Sequence, residues 1–110
     1  MKPAVLRPQA KRDLGSEVRY YRKKAGARVA RQLVDAIESN LQTLQRQPAI
    51  GAPTLGQELG ISRLRTWEVS GFPLVLIYIE HPRHVDVVRI LGERQDIAAI
   101  IGKPSSGSGK

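Results

Sequence analysis

The chain has 110 residues, 41% of them hydrophobic and 25% charged, which makes one small domain and is too apolar for a disordered polypeptide. The absence of cysteine excludes a disulfide scaffold, thiol redox chemistry and cysteine zinc sites, and sets a reducing, cytoplasmic location as the expectation. Eighteen basic residues against ten acidic ones leave a formal charge of +8, so acidic partners are expected, while the apolar runs are too short for a membrane span or a standard secretory signal.

The charge is unevenly placed. Met1 to Arg46 carries eleven Lys/Arg against four acids, and the remainder seven against six. Such asymmetry suits contact with nucleic acid or an acidic protein, and equally a solvated helix face that keeps the protein soluble.

In chain order, Ala4-Val5-Leu6 reads as a short strand, and Pro8 suits the first turn of a helix. Ala10, Leu14, Val18 and Tyr21 then recur at helical steps, with Lys11, Arg12, Arg19, Arg22 and Lys23 off that stripe. Gly26 breaks the pattern. A second amphipathic helix follows through Val29, Leu33, Ala36/Ile37, Leu41 and Leu44 until Pro48, and so short a join predicts an antiparallel helical hairpin. Residues 48–62, with two prolines and three glycines, read as a loop. Three strands are predicted next, Arg63 to Val69, Phe72 to Ile79 and Val85 to Leu91, joined by turns as an antiparallel meander. A single domain over 1–102 is expected, with residues 103–110 a flexible, linker-like tail.

Both alternating sets of Leu74 to Ile79 are apolar, and Val85, Val87 and Leu91 against Val88 and Ile90 repeat the pattern. A strand of that kind is covered on both faces. One helical hairpin covers one face, so the other is expected to be covered by a mixture of the chain's own end, through Ile97, Ile100 and Ile101, and a segment of a partner laid into the open face, with the partner the larger share.

Most catalytic templates fail. The two histidines, His81 and His84, stand on a hairpin turn with Asp86 as the nearest acid and read as solvated rather than as metal ligands. No nucleophile elbow is present, and Gly107-Ser108-Gly109-Lys110 lacks the rest of a phosphate loop. No metal, cofactor or catalytic residue is expected. The polar chemistry lies in the strands: Arg63, Arg65 and Trp67 alternate and should share a face, Arg89 interrupts an apolar strand, and Arg94 follows the turn at Gly92. Arginines beside an aromatic ring clamp phosphates, stack on bases or pair with a partner's acids. The alternative is a half-buried Trp67 and an Arg89 paired across strands with Glu68 or Asp86.

These residues resemble a family. Pro8-x-Ala10-x-x-Asp13-Leu14, Leu44-x-x-x-Pro48-x-x-Gly51, Leu64-Arg65, Gly71-Phe72-Pro73-x-x-x-x-Tyr78 and Val87-x-Arg89-x-Leu91-x-x-Arg94-x-Asp96 together look like the ParE branch of the RelE/ParE toxins. The resemblance runs from about Val5 to Asp96 and implies an α+β fold, β-α-α-β-β-β, with the N-terminal helical hairpin packed on an antiparallel sheet. It further implies a toxin of a type II toxin-antitoxin pair that inhibits DNA gyrase. A ParD-like antitoxin would bind it through an acidic amphipathic segment and meet Arg63, Arg65, Trp67, Tyr78, Arg89 and Arg94, with DNA touched only indirectly through that complex. The alternatives are a RelE-like ribosome-dependent messenger RNA endonuclease and a small basic nucleic-acid-binding module. Two positions depart from the family pattern. Arg7 stands where a Ser or Thr would cap the first helix, and Leu91 stands where many members carry His before Gly92, which removes a general acid/base and leaves Tyr78 or Glu68 as substitutes.

Overall fold

In the computed structural model, which describes residues 1–102, Pro8 opens helix α1 (Pro8–Ala25). Proline costs nothing there, because the first-turn amides have no partner within the helix. Gly26, at φ 97°, turns the chain within one residue into α2 (Ala27–Arg46). A β-carbon would strain that backbone. α2 buries Ala30, Leu33, Ile37, Asn40 and Leu44, one stripe at steps of three and four. On α1 only Ala10 is buried, and Leu14, Val18 and Tyr21 pack half-exposed on the core. The tail expected over 103–110 lies outside the described residues.

The sheet consists of β1 (Ala4–Leu6), β2 (Leu64–Glu68), β3 (Leu74–Glu80) and β4 (Val85–Gly92), in the order β1-β4-β3-β2. The meander β2-β3-β4 is antiparallel as expected. The sheet as a whole is mixed, because β1 pairs parallel with β4, Ala4 opposite Val85 and Leu6 opposite Val87. No tight turn ties β1 to β4; the connection is the rest of the domain, and only a long connection permits a parallel neighbour.

Leu76 and Tyr78 of β3 and Val85, Val87 and Ile90 of β4 meet Leu33, Ile37 and Leu44 of α2 in the main core. The expected alternation in β4 is broken by a bulge opposite Ile77/Tyr78, so the core-facing set changes parity from Val87 to Ile90 and leaves Val88 and Leu91 on the far face.

The loop expected over 48–62 carries a 3₁₀ turn (Pro48–Ile50) and a short helix, α3 (Thr54–Leu59). Six helical residues between Pro53 and Gly60 are too few for an amphipathic period to show. With α4 (Ile97–Gly102), α3 covers the second face of the sheet: Leu55, Ile61, Ile97, Ile100 and Ile101 pack on Leu64, Val75, Ile77 and Leu91. The chain's own end, helped by α3, meets the requirement set by the doubly apolar strands.

Leu33 is fully buried where α2 crosses the sheet. Leu33→Ala is therefore expected to cost about 2–5 kcal/mol in urea unfolding, and a cost below about 0.5 kcal/mol would place this helix face on the surface instead.

Candidate partner-binding surfaces

Tyr78 is completely buried. Its hydroxyl donates to the Pro48 carbonyl at 2.6 Å and accepts from the Gly51 amide at 2.9 Å. Burial pushes the phenol above its ordinary pKa, so it stays neutral. Arg65, opposite Tyr78 in β2, donates Nη1 to the Gly51 carbonyl at 2.7 Å. Gly51 is required for space rather than for conformation: at φ −70° its backbone is ordinary, but a β-carbon would lie 2.5 Å from the Tyr78 hydroxyl and 2.7 Å from the Thr66 carbonyl. Ala52 then exchanges two backbone hydrogen bonds with Thr66, at 2.9 and 3.0 Å, and covers part of the outer edge of β2.

Trp67 shares the Arg65 face of β2 and is half-buried. Its indole Nε1 donates to Asn40 Oδ1 at 3.0 Å, and Asn40 Nδ2 donates to the Ala36 carbonyl at 2.7 Å. That is why a polar residue stands in the buried stripe of α2: both ends of the amide are satisfied. Beside Trp67, a groove of about 450 Å³ runs along the β2 edge between Ile50, Ala52, Thr66, Glu68 and Ser70, and Ile50 stands 39% exposed on its rim. Arg63 does not join the Arg65 and Trp67 face. It precedes the strand in the left-handed region, at φ 65°, a costly conformation for a side chain of its size, and it presents an exposed guanidinium beside Pro53, Gln57 and Arg65.

Arg89 pairs with neither Glu68 nor Asp86. It forks onto Asp13 of α1, Nε to Oδ2 at 2.8 Å and Nη2 to Oδ1 at 3.0 Å, and the Ile90 amide donates to the same carboxylate at 3.0 Å. β1 pairs with β4 only as far as Val87, so the β4 edge beyond it lacks a strand, and Asp13 supplies the acceptor. Asp86 is taken instead by Arg7, whose Nε and Nη2 reach its two oxygens at 2.9 and 2.7 Å. The residue that cannot cap α1 thus fastens the start of α1 to β4 instead. These hydrogen bonds hold the Asp86 carboxyl below its ordinary range against the opposing effect of burial. His81 Nε2 adds a contact at 3.1 Å to Oδ2. His81, His84 and Asp86 bring their donor atoms within 4.8 Å of one another, the two rings stack nearly parallel, at 17°, and Arg7 also holds both oxygens of the carboxylate.

Arg94 is exposed, its guanidinium 5.4 Å from the Tyr20 ring centre. Tyr20, Tyr21 and Phe72 continue from it as two edge-to-face contacts, at 5.2 and 5.3 Å. They flank a cleft of about 470 Å³ lined by Glu17, Tyr21, Pro73, Leu74, Gly92 and Arg94. Burial raises the Glu17 carboxyl above its ordinary pKa, outweighing the opposing pull of Arg94, and raises Tyr21 likewise. Glu17 is absent from the residues singled out in the sequence. The available signal was its position one helical turn after Asp13, on the face that meets β4. The residues expected to form one site therefore divide. Arg63, Arg65, Trp67 and Tyr78 lie along β2 and its neighbour, and Arg89 and Arg94 lie toward α1.

A sequence model described as the ParE toxin of the type II toxin-antitoxin system parDE matches residues 4–97. The chain belongs to the ParE toxin family. Among solved structures it is similar to a chain of the chromosomal ParDE TA system from P. aeruginosa, with a TM-score of 0.71 and 19% identity over 84% of this chain and 96% of that one. That likeness shows the shared fold. No curated protein matches. In this ParE-family toxin the motif residues are mutual partners: Pro48 and Gly51 hold Tyr78, Arg65 holds Gly51, and Asp13 holds Arg89.

Two outcomes follow for the ParE fold. Tyr78→Phe strands the Gly51 amide and is expected to cost about 1–3 kcal/mol in chemical unfolding, with Gly51→Ala worse because its neighbours include backbone. Glu17 acts in the opposite sense. A carboxyl whose folded pKa lies above its unfolded value costs stability at neutral pH, and the cost vanishes once pH falls below the unfolded value. Glu17→Gln should thus raise the melting temperature at pH 7, by a stability gain under about 1 kcal/mol, and leave it unchanged near about pH 3.

Proposed function

We propose that this ParE-family toxin acts by binding and inhibiting DNA gyrase, in the cytoplasm, and that a cognate ParD-like antitoxin neutralises it by direct binding to the domain over 1–102. The observation that carries the reading is how the polar side chains of the sheet are employed. Cleaving RNA through its 2′-hydroxyl needs a proton acceptor, a proton donor and cations converging on one phosphate. Here Tyr78 is buried with both hydroxyl functions engaged, Arg89 is held by Asp13, Arg65 is held by the Gly51 carbonyl, and the histidines stand at the β3-β4 turn beside Arg7 and Asp86. That set supports a protein that works by presenting surfaces.

The second face of the sheet is occupied by α3 and α4. The antitoxin segment is therefore read onto the β2 edge groove, where Ile50 and Trp67 offer apolar contact, with the exposed Arg63 in a separate groove at the start of β2 to meet acids. One observation favours a second reading, RNA cleavage: the cleft at the end of β4 holds Glu17, Tyr21 and Arg94 together, a raised carboxyl beside a cation.

The deciding experiment is a pair of assays on the purified chain, gyrase with relaxed plasmid and translating ribosomes with messenger RNA. Blocked supercoiling or trapped cleavage complexes with intact message is the expected result, and it should persist in Glu17→Gln. Message cut on the ribosome, abolished by Glu17→Gln while gyrase is untouched, would establish the second reading instead. Co-purification with a neighbouring antitoxin should be lost in Trp67→Asp.

A further inference from the structure

The end of α1 and the start of α2 carry Arg19, Arg22, Lys23, Lys24, Arg28 and Arg31, with no acidic residue between Glu17 and Asp35. All of these cations are exposed. None takes part in the ion pairs among the described residues, which join Lys2 to Glu80, Arg7 and His81 to Asp86, and Arg89 to Asp13. The one-residue turn at Gly26 brings both helix ends to one corner of the molecule.

Part of this charge serves the fold. Arg22, Lys23 and Lys24 occupy the last turn of α1, where cations offset the carbonyl end of the helix dipole. Arg28 and Arg31 have no such account. Arg28 stands in the first turn of α2, which holds no acid, at the end of the helix where positive charge is unfavourable. Arg19 with Lys23, and Arg28 with Arg31, also place like charges within one helical turn of each other, a further cost. The fold therefore gains nothing from Arg28 and little from Arg31, whose acid one turn on, Asp35, forms no ion pair with it, and the charge at this corner is concentrated beyond what α1 requires.

The character of the surface selects its partner. Around the turn the exposed residues other than the cations are Tyr20, Ala25, Gly26, Ala27 and Gln32, so a single large side chain, Tyr20, is offered where protein interfaces gather a cluster of apolar anchors. A platform for single strands is missing too. The one exposed ring, Tyr20, meets Tyr21 at 88° and has the Arg94 guanidinium 5.4 Å from its centre, and a single ring falls short of the succession of rings on which single strands stack. Six exposed cations on a helical corner with a single exposed ring match the phosphates of a duplex, which bind through charge neutralisation and counterion release.

We infer that the tip of the helical hairpin is a contact surface for the phosphate backbone of duplex DNA. The inference deepens the gyrase reading and rests on it for the choice of DNA, since gyrase holds a duplex while it works. It adds a direct DNA contact by the toxin itself to the indirect one expected through an antitoxin complex.

The test titrates a labelled DNA duplex of about 20 base pairs with the full chain, by fluorescence anisotropy, across about 50 to 200 mM salt. The variant Lys24→Gln/Arg28→Gln/Arg31→Gln is expected to bind at least about tenfold more weakly at the low end of that range. Its slope of log affinity against log salt should be shallower by about 2 to 3, at about 0.9 for each phosphate that is no longer neutralised. Its melting temperature should change little, the relief at Arg28 offsetting the loss of Lys24 from the last turn of α1. A control, Lys11→Gln/Arg12→Gln/Arg46→Gln, removes the same charge from exposed positions elsewhere and should weaken binding by no more than about twofold.

Equal weakening in the two variants would show binding by net charge alone and overturn the inference. So would tighter binding to single-stranded RNA or to polyglutamate than to the duplex, or no salt-dependent binding of the duplex at all. Gyrase supercoiling measured on the same samples separates the two readings. Tip-dependent duplex binding without gyrase inhibition supports the tip and removes the gyrase reading. Gyrase inhibition with duplex binding indifferent to the tip removes the inference alone.

Discussion

The hydroxyl of Tyr78 is the point on which the arrangement of this molecule turns. It lies at the centre of the sheet and reaches outward to the segment leaving α2, where it donates to the Pro48 carbonyl and accepts from the Gly51 amide. Backbone groups in an irregular segment have no regular partners, and leaving them unpaired at a buried surface costs as much as losing a hydrogen bond. The tyrosine resolves this for two of them, and Arg65 resolves it for the Gly51 carbonyl. With that segment fixed, Ala52 can pair with the edge of β2, α3 can lie over the second face, and the groove beside Trp67 acquires its outer wall.

A second economy concerns charge. Acids are scarce in this chain, and three of them work as fasteners: Asp13 ties α1 to β4, Asp86 takes Arg7 at the start of α1, and Glu80 takes Lys2. Each pairing neutralises a cation near the sheet. The cations at the α1-α2 corner have no such partner among the described residues, so the positive field of the protein is gathered at that corner rather than spread evenly over the surface. Fastening the fold and polarising its surface are two results of the same distribution of carboxylates.

Several features run against stability and cluster where the molecule meets its surroundings. Arg63 holds a left-handed backbone beside an exposed groove. Glu17 keeps a carboxyl in a cleft that resists its ionisation. Arg28 loads the wrong end of a helix. The remainder is internally consistent: the buried Asn40 has both amide functions used, and the bulge in β4 carries its apolar residues to the correct faces. Local violations in an otherwise consistent structure are where function is expected to reside.

Periodicity by itself determined the two long helices, the hairpin at Gly26 and the meander, because helical and strand repeats are written in single side chains and do not depend on distant partners. The doubly apolar strands also showed that the sheet needed two covers. The motifs determined the family, and yet read singly they pointed outward, to Tyr78 and Arg89 as contacts for a partner. Tertiary structure turned them inward. A residue's availability depends on what folds against it, and Asp13 lies far from Arg89 in sequence, as Pro48 does from Tyr78. The parallel seat of β1, the parity change in β4 and the short α3 were likewise decided only in three dimensions. A strand's direction is open when no turn constrains it, a bulge leaves no sequence period, and six residues are less than two turns of helix.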